Sequence, residues 1–220
     1  MKMKIIKSIR KTISMKIDEA WELIVKAPLF VSKEKIDEFI NKNKTWVEKK
    51  KQLVLDRMKK YVDWEKFMYF WEEYELKFSW ESNIIEFNWK TFYLNKKHKK
   101  NTSLLFTNFY KKEAMFYIKN RINFISWKYE LKFNKLTISS AKTRWWSCSS
   151  NKNISFSYRL IMAPIKTIDY VIVHELAHLK EMNHSKNFWK LVEEMMKWLY
   201  PWDYKIHKKW LKDNGNKMIF

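Results

Sequence analysis

The sequence predicts an α+β fold, with a helical core packed on an antiparallel sheet and a small strand-rich subdomain before it. Runs of alternating apolar and polar residues occupy 67–94 and 136–160, whereas apolar residues recur at helical spacing in 102–128 and from Pro164 onward. A length of 220 residues suffices for one sizeable core or two small ones.

From Lys4 to Lys26 the pattern is short and strand-like and ends at Ala27-Pro28. Ser32 is then a suitable N-cap for a helix with apolar positions Ile36, Phe39, Ile40 and Val47, expected to run to about Tyr61. Two hairpin-like runs follow, Phe67 to Phe78 and Ile84 to Leu94. The basic stretch Asn95 to Asn101, in which His98 reads as a solvated loop residue, marks the expected boundary between an N-terminal subdomain, 1–98, and a core, 99–220. Phe106, Phe109, Met115, Ile118 and Ile122 predict a helix over Thr102 to Lys128. Leu136, Ile138 and a strand through Arg144-Trp145 precede a polar turn at 149–153. Beyond it Ile154, Phe156, Tyr158 and Leu160 alternate with polar residues, as half-buried antiparallel strands do. Pro164, at a first helical position, opens a helix through Ile168, Val171 and Ile172.

Composition narrows the class. No stretch approaches the 18 or so apolar residues of a membrane span, and the basic N-terminus is not followed by a signal-like apolar run, so a cytoplasmic protein without membrane contact is expected. Cys148 is the single cysteine, which excludes an internal disulfide and a multi-cysteine zinc cluster. Any metal must be held by histidine and carboxylate.

The net charge is +21, from 45 Lys and Arg against 24 Asp and Glu, an excess that favours polyanions such as nucleic acid. The lysines are nonetheless scattered, and the abundance of Lys, Asn and Ile together fits A/T-rich codon usage.

Glycine is nearly absent. The chain has 1 glycine and 13 tryptophans, where average usage of about 7% would give roughly 15 glycines. Several tryptophans stand where a turn wants glycine. Asn88-Trp89 lies between two β-type runs, where Asn-Gly with positive φ at both positions would make the favoured hairpin turn. Asp63-Trp64 would read as Asp-Gly, Trp71 interrupts two strand-like runs, and Pro201-Trp202-Asp203 reads like Pro-Gly-Asp. The codon UGA means tryptophan in some genetic codes and glycine in a few. A gene of the second kind translated by the first table would look like this, with Trp64, Trp71, Trp89, Trp146 and Trp202 as the suspect positions.

The chemistry-bearing motif is His174-Glu175-Leu176-Ala177-His178. Two histidines four apart project from one face of a helix and can reach one metal ion. Glu175 beside them can take a proton from an attacking water and return it to the leaving amine. The preceding Val171-Ile172-Val173 buries the helix, and buried polar groups are costly unless paired or ligating. A catalytic zinc ordinarily takes a third protein ligand. His184, six residues after His178, is the expected one, with Glu193 and Glu194 as competitors. Asn183 tolerates the left-handed conformation that ends a helix, and Ser185 can cap the next. His207 reads as a surface or packing residue, and Cys148 as a thiol buried on its strand without an activating base. Arg144 and Tyr204 qualify as oxyanion helpers by residue type alone.

Trp145-Trp146-Ser147-Cys148-Ser149-Ser150, Asn153-Ile154, Arg159-Leu160, Ala163-Pro164, Ile168-Asp169-Tyr170-Val171, the histidine motif with Leu179, Asn183-His184-Ser185, Phe188-Trp189 and His207-Lys208-Lys209-Trp210-Leu211 together resemble the YgjP-like metallopeptidase family, relatives of the SprT-like and Wss1-type zinc proteases. The resemblance covers at least Arg144 to Gly215, with weaker features at Val25-Lys26-Ala27-Pro28 and Trp46-Val47. It implies a zincin-like core, one Zn2+ per chain on His174, His178 and His184, Glu175 as general base, and a peptide or protein substrate that could add as a strand near Trp145 to Ser149. Where the family carries Arg-Trp-Gly-Ser-Cys, this chain has Trp146. Two alternatives to a plain peptidase remain: a basic nucleic-acid-binding protein with a structural or vestigial core, or a protease recruited to DNA-bound proteins.

Overall fold

The computed structural model describes residues 3–17, 22–55, 59–141, 145–201 and 203–218, with the side chains of 53–55 and 216 left aside. Six α-helices and ten strands in three small sheets lie among the described residues. The chain forms two compact units, Met1–Lys59 and Lys60–Ile219, with the last residue counted in the first.

In the first unit β1 (Met3–Ser8) runs parallel to β3 (Leu23–Pro28), and β2 (Ser14–Ile17) runs antiparallel to the other side of β3. Leu23, Val25 and Ala27 alternate inward from the central strand and meet Ile36 and Val47. Ser32 accepts the Lys35 N–H and caps α1 (Lys33–Lys42). The long helix expected here is two helices: α1 stops at Asn43, whose side chain donates to the Phe39 carbonyl, and α2 (Lys44–Leu55) starts afresh. Asparagine competes with the helix for its own backbone groups. The expected extension beyond residue 55 crosses 56–58, which lie outside the described residues.

The second unit begins with β4 (Lys66–Tyr69), β5 (Glu72–Ser79), β6 (Ile85–Phe87) and β7 (Thr91–Asn95), in the order β4-β5-β7-β6. The expected linker is a 3-10 helix, Lys96–Asn101, that runs straight into α3 (Thr102–Lys128), and His98 is half-buried on it. The division of the chain therefore falls near residue 59, and the four-stranded sheet shares its unit with the histidine motif. On α3, Phe106, Tyr110, Ala114, Ile118, Ile122 and Ile125 are buried at intervals of three and four, one helical stripe. Phe106 stacks on Phe67 at 4.1 Å, and the Tyr110 hydroxyl donates to the Met68 carbonyl.

The third sheet has the order β8-β10-β9, from β8 (Lys135–Ser139), β9 (Trp146–Cys148) and β10 (Asn153–Ser157). Only β9 and β10 are antiparallel, while β8 runs parallel to β10. This corrects the all-antiparallel expectation. The tight turn between β9 and β10 forces their pairing, whereas a strand arriving on the far side of β10 is free to run parallel. The alternation expected to continue to Leu160 ends at Ser157, whose hydroxyl caps a 3-10 helix, Tyr158–Met162. Then come α4 (Ile165–Ala177), α5 (Lys186–Leu199) and α6 (Lys205–Asn214), with Pro164 as the N-cap of α4 rather than its first residue.

Candidate metal centre

Helix α4 is buried over most of its length because Ile168, Val171, Ile172 and Leu176 cover more than one face. Its last turn presents His174, and His178 is the C-cap in right-handed conformation. Beyond it the chain tightens, with Leu179 N–H donating to Leu176 and Glu181 N–H to Ala177. This turn brings His184 back to the helix end, and Ser185 immediately caps α5 by accepting the Phe188 N–H. Asn183 is not left-handed as expected; its carbonyl accepts the Ser185 N–H instead.

The three imidazoles converge. Their ring centroids are 4.9, 5.0 and 4.8 Å apart, and one ligand nitrogen from each lies within 4.8 Å of the others. His174 Nε2 and His184 Nε2 are 3.1 Å apart, close to the roughly 3.3 Å between neighbouring nitrogens held about 2.0–2.1 Å from one tetrahedral ion. His178 Nδ1 lies 3.1 Å from the Glu181 carbonyl. That contact fixes Nδ1 as the protonated nitrogen and leaves Nε2 as the free donor, the usual arrangement around a metal-ligating histidine. The donor set fits a metal ion.

Electrostatics point the same way. Burial, reinforced by His178, His184 and Lys208, pushes His174 down to about 3, and burial also lowers His178. Both rings are therefore neutral and their lone pairs available. Burial raises Glu175 to about 8. Its Oε2 has no hydrogen-bond partner among the described residues, and its Oε1 lies 4.0 Å from His174 Nε2. A buried carboxyl with no partner is costly and rarely kept without a use.

Apolar side chains shape the surroundings. Phe188 packs against all three histidines at 4.5–4.9 Å, forming a floor. Trp189 stacks on His184, Tyr204 stacks on both Trp189 and Tyr170, and Lys208 sits 4.1 Å over Trp189. A cleft of about 560 Å³ opens beside the histidines, bordered by Trp146 from the edge strand β9, Tyr170, Trp189 and Lys208. Further back, Asp169 is wholly buried and takes two hydrogen bonds from Arg121 of α3 and one from Tyr200 after α5. Thr167 meets His207 at 3.1 Å and so ties α6 to α4.

Of the residues singled out by sequence, His174, Glu175, His178 and His184 come together here. Glu193 and Glu194 do not; both are exposed, and Glu193 pairs with Lys197. His207 is a packing residue. Cys148 is half-buried, with a thiol pushed up to about 11 by burial and then by Glu175, so it is a poor nucleophile. Arg144 lies outside the described residues. Sequence reasoning gave no role to Phe188, Trp189, Tyr170, Lys208 or Asp169. These residues entered only as parts of the resemblance; Asp169, an acid in an otherwise apolar run, carried a physical signal of its own, since such a residue demands a partner.

No described helix is long and apolar enough to cross a membrane. The family described as YgjP-like, metallopeptidase domain, matches residues 11–214. No curated protein and no solved structure matches the chain.

Proposed function

The chain belongs to the YgjP-like metallopeptidase domain family, and from that premise we propose that it is a zinc-dependent peptidase with a zincin-type core. His174, His178 and His184 hold one zinc ion, and Glu175 is the general base. The observation that carries this reading is the convergence of three imidazoles beside a buried carboxyl whose Oε2 has no hydrogen-bond partner among the described residues. Three imidazole nitrogens of intermediate softness suit zinc. Held by these histidines, zinc would supply Lewis acidity toward a substrate carbonyl and an attacking water.

The protein's own groups do the rest. Glu175, buried beside the histidines, would accept the water proton and pass it to the departing amine. Phe188 excludes solvent beneath the histidines and fixes their rings. Among the described residues no strand pairs with the outer edge of β9, and an extended peptide would lie there along the cleft as an added strand.

Hydrolysis of an unfolded protein substrate by zinc-loaded protein tests the reading. Glu175→Gln should lower the rate by about 10²–10⁴-fold while zinc stays bound. Unchanged hydrolysis in that variant would remove Glu175 from the mechanism.

A further inference from the structure

Seven described residues other than glycine have positive φ: Tyr61, Trp64, Phe70, Trp71, Trp89, Glu130 and Lys152. Tryptophan is 13 of 220 residues, so seven positions drawn without preference would hold fewer than one, and three are tryptophan. None is Asn or Asp, the side chains that best tolerate this region. The single glycine, Gly215, has φ −52° and open space around its Cβ position, so nothing in the backbone calls for glycine there.

The surroundings impose each left-handed tryptophan. Phe70 and Trp71, with φ 49° and 69°, are the two central residues of the hairpin closed by Tyr69 and Glu72. Positive φ at both positions is the type I′ pattern, whose second residue is ordinarily glycine. Their N–H groups donate to the Ile161 and Met162 carbonyls at 3.0 and 2.9 Å, which prevents relaxation to another turn. Trp64, φ 70°, donates to the Leu76 carbonyl at 2.7 Å, while the Asp63 carboxylate beside it accepts the Phe78 N–H. Trp89, φ 66°, is held between the Asn88 side chain and the Lys90 and Thr91 N–H groups that it accepts. Asn88 itself is not left-handed, contrary to the two-residue turn expected there.

We propose that positions 64, 71 and 89 are glycine in the protein as its own cell makes it, through a UGA codon that the cell reads as glycine. This stands independently of the metal centre. It has one consequence there: Trp146 borders the cleft on β9, and a shared codon would replace that indole with hydrogen and widen the approach to the histidines. That consequence rests on the proposed peptidase function. Position 202 lies outside the described residues.

Two measurements test the proposal. Mass spectrometry of the protein purified from its source should give glycine masses for the peptides spanning 64, 71 and 89, with UGA in the gene at each; tryptophan mass at those positions overturns it. In recombinant protein, W64G/W71G/W89G should melt about 6–12 °C above W64A/W71A/W89A, because only glycine relieves the left-handed backbone. Equal melting of the two triples would show that the backbone makes no such demand. For the cleft, W146G should bind zinc like its parent and hydrolyse an unfolded protein faster. Equal rates with zinc bound would sink the cleft consequence, and absence of zinc from both would sink the proposed function instead.

Discussion

Asp169 and Glu175 lie on the same helix, and both are essentially shut off from solvent. Asp169 has its carboxylate filled by Arg121 and Tyr200, whereas one Glu175 oxygen has no partner among the described residues. The first half of α4 is thus built as a tie between helices, and its last turn leaves polar groups open to something not of the chain. Burial alone does not mark a functional residue; at Glu175 an unsatisfied buried oxygen stands beside three converging histidines, and it is the combination that does.

Breaking the satisfied end should cost most. Asp169→Asn leaves the Arg121 guanidinium without its counter-charge and should remove about 3–5 kcal/mol of stability, measured by urea unfolding. A loss below about 1 kcal/mol would mean that the pair does not tie α3 to α4.

The open end should respond in the opposite sense when metal is absent. Glu175 has a folded-state pKa near 8 against an ordinary 4.5. Its proton is kept on folding, so the stability it allows is complete below pH 4.5 and is lost as pH rises toward 8. Glu175→Gln should therefore match the parent at pH 4.5 and exceed it at pH 8 by on the order of a few kcal/mol in metal-free protein. A constant difference across that range would contradict the burial of an ionisable carboxyl.

His174, pushed down to about 3 from 6.5, acts on the acid side. Below pH 6.5 the unfolded chain takes up a proton that the folded chain refuses, so metal-free stability falls as pH drops from 6.5 toward 3. His174→Ala should flatten this slope, visible in Tm measured against pH. The smallest effect is expected at Ser185, where alanine should cost about 1 kcal/mol through the lost cap of α5. Because His184 directly precedes it, zinc affinity should fall as well, which calorimetry would register.

Local features were legible in the sequence, and distant partners were not. The i, i+4 spacing of His174 and His178, the Ser185 cap and the α3 stripe are set by residues within a few positions of one another. The turns at 63–64, 70–71 and 88–89 were equally local, which is why tryptophans at positions that favour glycine stood out in the sequence. The break at Asn43 depended on one side chain turning back to its own helix. The parallel pairing of β8 with β10 and the partners of Asp169, 48 and 31 residues away, are choices made by the folded chain as a whole. Phe188 entered the sequence reading only through the resemblance, because its place under three histidines requires the loop at 178–185 to be folded.

Zinc content of the purified protein tests the central claim most directly, with His174→Ala and Glu175→Gln measured beside the parent. One zinc per chain in the parent and in Glu175→Gln, lost in His174→Ala, is the predicted result. Zinc absent from a well-folded parent, or retained undiminished in His174→Ala, would contradict the assignment of the open end of α4 to a metal.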